Sequence, residues 1–426
     1  MASKEKNIGI EIMRIVSMLM VLFLHVLGQG GVYPYAAIAE SHPQNYPVAW
    51  LLETASFGAV DLFALISGYV GYKSKLKASR YLKTWLLVSF WGFMIVLSID
   101  KFPIIYEKFT EFLGFFIPSV KTEIEPHTIL SEEYLYALFP VSNNQYWYFN
   151  AYTLAYFATP IVNRAIDALK QSEHFAVCVG IFILTSVIPS ISNADLFVTG
   201  YGYSAIWLIM LYIIGAYIAK YPPTVGIYNR SVLLMGYFFC TAFAWQWMLY
   251  INKLSETAAE GSVISEYKYQ FIQYTSPFVL AGAIMLLIGA SQIKIKTDFI
   301  KKSIKFVSEA TFAVYIIHVQ PIFWSYYMLW RFWKIGYDLD TPEMVYYVCV
   351  AVFILFAVCI ILERIRMLIF KLLQIDRLTT FIGNSIDNLI SKLLSVQFPE
   401  AVCESSSSSA ADSEIVQPKS EEKTEQ

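Results

Sequence analysis

Ten stretches of about 20 mostly apolar residues, parted by polar or charged breaks, recur along this chain, and no other feature restricts its fold as much. They cover residues 8–30, 47–72, 82–99, 146–162, 175–191, 202–219, 230–251, 269–291, 307–330 and 344–370. About 20 apolar residues is the length a helix needs to cross the hydrocarbon core of a bilayer. Only 15% of the 426 residues are charged, against about 25% in an average soluble domain, so the polar surface a water-soluble protein needs is missing. A net charge of −2 gives no electrostatic reason to expect a nucleic-acid partner. The expectation is an all-α, polytopic integral membrane protein with ten transmembrane helices, its partner the lipid bilayer. Four of the five cysteines lie inside the apolar stretches and read as small core residues. No His, Cys, Asp and Glu set has ligand spacing, so no metal is expected.

Charge distribution orients the spans. Lys and Arg are retained on the cytoplasmic side of a membrane. With the N-terminus inside, 24 of the 31 basic residues fall in inner segments and 7 in outer loops. One miscounted span would scramble that alternation, so both termini are expected in the cytoplasm and the first stretch as a retained span. Residues 1–370 form the transmembrane domain in this reading. Within it, the acidic segment 100–145 carries the run Phe112-Leu113-Gly114-Phe115-Phe116 and is a candidate lid or acceptor platform. Residues 371–400 place Leu378, Phe381, Ile382, Ile386, Leu389, Ile390 and Leu393 at helical spacing, the pattern of an amphipathic inner-face helix. Residues 401–426, rich in Ser, Glu and Lys, are expected to be a disordered cytoplasmic tail.

An ionisable side chain at the bilayer centre costs about 2.5–3.5 kcal/mol on insertion scales, so each one needs a reason. The first stretch holds Glu11, Arg14 and His25. Eleven residues at about 1.5 Å and 100° each set His25 roughly 16 Å along the helix from Arg14 and nearly on the same face. Glu11, three residues before Arg14, is placed to pair with it. The spacing suits an acyl-coenzyme A donor, whose phosphates an Arg fork grips while its long arm carries the thioester away toward His25. Snorkelling of Arg14 and a helix-to-helix hydrogen bond of His25 are the structural alternatives. On the returning second stretch Glu53 lies level with His25, as its possible orienter, and Asp61 sits mid-membrane in a polar network. Ser67 and Gly68 fit close helix packing as well as a site. Trp147 and Tyr152 fit an interfacial aromatic belt as well as a platform for sugar rings.

These residues resemble the membrane-bound acyltransferase-3 family, bacterial enzymes that decorate cell-surface carbohydrates. Glu11-Ile-Met-Arg14, followed ten residues later by His25, is similar to the family's acidic-x-x-Arg-x10-His signature. Gly58-Ala-Val-Asp61-Leu-Phe63 with Ser67-Gly68-Tyr69 resembles its Gly-Val-x-x-Phe-Phe-x-x-Ser-Gly-aromatic segment. Trp147, Tyr152 and Pro160 resemble its Trp-Phe/Tyr…Pro stretch, and Thr311 to His318, with Tyr315, its Ser-Tyr-x-x-Tyr-Leu-x-His element. Ala64 and Thr311 are mild departures, where the family usually has Phe and Ser. Nothing like the extracytoplasmic SGNH hydrolase-like domain of some relatives is expected after the tenth stretch, which leaves transfer to the membrane domain or a separate partner.

The resemblance implies an integral O-acyltransferase of the bacterial cytoplasmic membrane. It would move an acyl group, acetyl by preference, from cytoplasmic acyl-CoA to a hydroxyl of a surface glycan or lipid-linked saccharide. His25 would act as general base or transient acyl carrier, Arg14 would hold the donor, and Glu11 would fix Arg14. Ser67, Gly68, Trp147, Tyr152, Tyr315 and His318 would contact donor or acceptor. The alternatives from other classes are a proton-coupled small-molecule transporter, against which no broken-helix pair is visible in the sequence, and an acyltransferase-like sensor domain.

Overall fold

The computed structural model describes residues 7–33, 42–123, 127–223, 229–258 and 262–397, and among these every regular element is a helix. In chain order they are α1 (Ile8–Leu27), α2 (Asn45–Ser56), α3 (Ala59–Gly71), α4 (Ala78–Lys101), α5 (Ile104–Phe116), α6 (Ser131–Leu138) and α7 (Trp147–Ala168). There follow α8 (Gln171–Phe182), running through a π-helical turn into α9 (Ile188–Ser192), then α10 (Ala205–Lys220), α11 (Arg230–Glu256) and α12 (Pro277–Ser291). The chain ends with α13 (Asp298–Ser308), α14 (Thr311–His318), a π-helical segment Phe323–Met328, α15 (Trp333–Asp338), α16 (Thr341–Leu372) and α17 (Ile375–Gln397).

All ten apolar stretches fall on helices, and six are long and apolar enough to cross a membrane by themselves: α1, α2 with α3, α4, α8 with α9, α11 and α16. The other four depart for visible reasons. α10 and α12 have 16 and 15 residues, about 24 Å of helix. α7 carries Asn150, Asn163, Arg164 and Asp167 along its length. The ninth stretch is broken, with Asp298–His318 and Phe323–Asp338 bent by 81°. The break at Val319–Gln320 is stabilised by the Gln320 side chain, whose Oε1 accepts from the backbone of Ile322 and Phe323. One broken stretch is therefore present among the described residues, although none was expected from sequence.

By contact the chain forms two compact units. The larger contains residues 1–76 and 86–369, and α1 is its hub, packing against α2, α3, α12, α13 and α14. Asn7 caps α1 by accepting from Gly9 N, and its amide donates to the Ser291 carbonyl at the end of α12. At the other end, Trp330 N donates to Gln29 O and Phe332 N to Gly30 O, which ties α1 to the chain beyond the π-helical segment. Between those two residues Arg331 is 2% exposed, its guanidinium spent on the carbonyls of Lys121, Glu123, Tyr326 and Tyr327. The acidic segment read as a lid or platform is thus held at residues 121–123.

α3 and α10 cross at backbone contact. A Cβ on Gly68 would lie 1.9 Å from Tyr212 O, and one on Gly215 1.9 Å from Leu65 O. On the same face, Trp207 Nε1 donates to Asp61 Oδ1 at 2.9 Å. Small residues let helices approach this closely where no solvent drives them together.

Among the described residues the smaller unit joins 77–85 to 370–397. In it, Gly383 of α17 sits against Ser79, and Ala78 N donates to Asp387 Oδ1. α17 lies within residues 371–400, and its Leu378, Phe381, Leu389 and Leu393 are exposed. The tail 401–426 lies outside the described residues.

Candidate active site

α1 presents Glu11, Arg14, Met18, Val21 and His25 at steps of three and four, a single helical stripe. The structure opens a cavity at each end of it. At the Arg14 end the cavity measures about 660 Å³, and its wall includes Glu11, Arg14, Tyr69, Lys73, Lys294 and Lys301. Four basic side chains face one carboxylate there, and that carboxylate is occupied. Glu11, 2% exposed, accepts from Arg14 Nη1 at 3.1 and 3.2 Å and from Ser308 Oγ at 2.6 Å. Arg14 is thereby fixed by one nitrogen, and its other guanidinium donors are recorded with no protein acceptor among the described residues. Such a cavity attracts a polyanion, because charge-assisted hydrogen bonds to phosphate are about twice as strong as neutral ones.

At the His25 end the cavity is about 40 Å³ and aromatic, with Phe63, Trp147, Tyr148, Tyr274, Phe312 and Tyr315 around the imidazole. His25 keeps partial exposure through this cavity. Its Nδ1 is 2.7 Å from Nε2 of His318, and the indole of Trp324 meets the ring edge-on with centroids 4.6 Å apart. His318 reaches α1 because the break after α14 ends the helix beside it. The space admits a few water-sized atoms, enough for a reacting carbonyl and too little for a long chain.

The structure therefore gathers Glu11 and Arg14 in one cavity and His25, Trp147 and Tyr315 around the other; His318, expected to contact donor or acceptor, is fully buried and reaches the site only through His25. It separates the rest. Glu53 is 6% exposed and forms no hydrogen bond with His25 among the described residues, while the contact on His25 comes from His318. The orienting contact expected from Glu53 is therefore not made among the described residues, and a residue on the broken ninth stretch meets His25 Nδ1 instead. Asp61, read as a polar-network member, accepts from Trp207 Nε1, and its Oδ2 has no hydrogen-bond partner among the described residues. Ser67 Oγ returns to Phe63 O in its own helix at 2.8 Å, and Gly68 packs on α10. Neither Ser67, Gly68 nor Tyr152 is among the residues lining either cavity; the Tyr152 ring lies 5.9 Å from that of Tyr156.

In the sequence Lys73, Lys294 and Lys301 mark only topology, and Ser308, Tyr274 and Trp324 do not stand out. A basic run beside an interrupted span was the available sign of the lysines. Ser308, Tyr274 and Trp324 show no sign in one sequence, because their role depends on which helices meet.

A family model for an acyltransferase domain, that of the acyltransferase-3 type, matches residues 7–364. No curated protein and no solved structure matches the chain.

Proposed function

Because the chain belongs to the acyltransferase-3 family and is a membrane acyltransferase, we propose that it transfers acetyl from cytoplasmic acetyl-CoA to a hydroxyl of a cell-surface or lipid-linked saccharide. In this reading it spans the cytoplasmic membrane ten times, with α7, α10, α12 and the broken ninth stretch counted, and both termini are cytoplasmic. The observation that carries it is the α1 stripe, which joins a large basic cavity at Arg14 to a small aromatic one at His25, two residues about 16 Å apart along the helix. That separation matches a donor with phosphates at one end and a thioester at the end of a long arm. Arg14, anchored by Glu11 and Ser308, holds the phosphates with the lysines around it. The thioester reaches His25, which removes the acceptor's hydroxyl proton. The 40 Å³ of space favours a two-carbon acyl group, and the aromatic wall with Trp147 suits stacking on a sugar ring.

The test uses purified protein in vesicles with labelled acetyl-CoA and a glycan extract. CoA release with label on glycan, lowered about 100- to 10,000-fold in His25→Ala, is the expected result. Solute flux without CoA release, or full transfer by His25→Ala, would overturn the proposal, the first in favour of a carrier.

A further inference from the structure

His25 and His318 fix each other's protons. Nδ1 of His318 is hydrogen-bonded to the Val314 carbonyl oxygen, one turn back in α14. A carbonyl only accepts, so this nitrogen carries the hydrogen. His318 is fully buried, and among the described residues no carboxylate is recorded as a hydrogen-bond or ion-pair partner of either ring. A second proton would leave an unpaired charge among apolar groups at a cost of several kcal/mol. His318 therefore stands as the neutral Nδ1–H tautomer, and its Nε2 is a bare acceptor. The atom 2.7 Å from it, Nδ1 of His25, must be the donor. One proton on Nδ1 leaves the lone pair of His25 on Nε2, the nitrogen with no recorded protein partner.

We infer that His318 is a positioning residue that holds His25 in the one tautomer whose Nε2 is a base, with Trp324 steadying the ring edge-on. The inference rests on the acyl-transfer reading for its kinetic half only. In the reaction the acceptor oxygen bonds to the thioester carbonyl carbon as its proton passes to His25 Nε2. The carbon–sulfur bond then breaks, and the departing thiolate takes that proton to leave as the free thiol. The Nδ1 proton stays hydrogen-bonded to His318 throughout. A neutral acceptor at that point orients the imidazole without receiving a proton from it.

The experiment is nitrogen-15 NMR of the full-length protein in nanodiscs, labelled at histidine. The chain has five histidines, and His25→Ala assigns the signal. The expected wild-type spectrum shows His25 Nε2 unprotonated and Nδ1 protonated. His318→Leu should give a mixture of tautomers, while His318→Gln, whose amide oxygen accepts, should restore the protonated Nδ1. In turnover, His318→Leu should lower kcat about 100-fold at unchanged KM for acyl-CoA, with His318→Gln recovering at least tenfold of the loss. A wild-type His25 with Nδ1 unprotonated overturns the inference, even if the leucine variant fails to fold. So does a folded His318→Leu with unaltered tautomer and kcat. The spectrum is read without substrate, so absence of any CoA release would refute the acyl-transfer reading and leave the tautomer answered.

Discussion

Replacing Gly68 by alanine tests how tightly two helices of the larger unit are fitted. The added Cβ would sit 1.9 Å from Tyr212 O, and ordinary contact begins near 3.4 Å. The obstacle is backbone, which has no rotamer to give way. α3 and α10 must part by more than 1 Å. That movement stretches the 2.9 Å bond from Trp207 to Asp61 toward 4 Å, past the range of a hydrogen bond. Overpacking costs about 1–3 kcal/mol, and a buried acceptor left unsatisfied about 1–3 kcal/mol more, so the expected loss is about 2–6 kcal/mol. Gly215 meets Leu65 O in the same crossing. Once the helices have parted for one methyl the second costs little, so Gly68→Ala and Gly215→Ala together should destabilise by clearly less than their sum. Ser67→Ala, next in sequence, removes only a bond within its own helix and should change stability by about 0.5 kcal/mol or less. Thermal unfolding of the purified variants in detergent reads all four proteins. A Gly68→Ala melt equal to wild type, or strictly additive glycine variants, would refute the argument.

Two further outcomes are expected. Lys294→Ala with Lys301→Ala should raise KM for acyl-CoA about tenfold and leave kcat unchanged, because these residues line the Arg14 cavity and not the one at His25; a fall in kcat at constant KM in steady-state assays would contradict this. Glu363 is 1% exposed and accepts from Trp91 Nε1 and twice from Arg366. Glu363→Ala removes both bonds from Arg366 and the one from Trp91 and should cost about 3–5 kcal/mol, whereas Trp91→Phe should cost about 1 kcal/mol, both measured by the same melts.

Much of this was legible wherever it depended on spacing within one helix. The Glu11–Arg14 pair and the alignment of Arg14 with His25 follow from helical geometry, and the structure adds only the cavities at each end. Every apolar stretch likewise falls on helix, since apolar length and charged breaks are local properties. What was not legible is where one helix meets another. Depth along the chain sets Glu53 level with His25 and His318 level with Asp61, and depth alone leaves their azimuths undetermined. The break after His318, with its Gln320 cap, decided between them. Ser67 and Gly68 stand in one motif yet do different work, because only the second faces a backbone.

The break in the ninth stretch also bears on why a transferase would tolerate it. Irregular backbone at membrane depth persists only where it is buried in protein or lines a cavity. Here it ends α14 at His318 and restarts the chain in a π-helical turn whose Trp324 meets His25 and whose Tyr327 ring lies 4.6 Å from Tyr106 of α5. A continuous helix carries its side chains at fixed 100° steps and would point residues 318 and 324, six apart, 120° from one another about its axis. Both meet one imidazole because the axis turns between them. The unsatisfied backbone at the turn is met by Gln320, so a Gln320→Leu substitution should disturb the His25 pairing without touching either histidine. The nitrogen-15 signature of His25 Nδ1 is the observable, and an unchanged signal in a folded Gln320→Leu protein would show that the bend is held by something other than that amide.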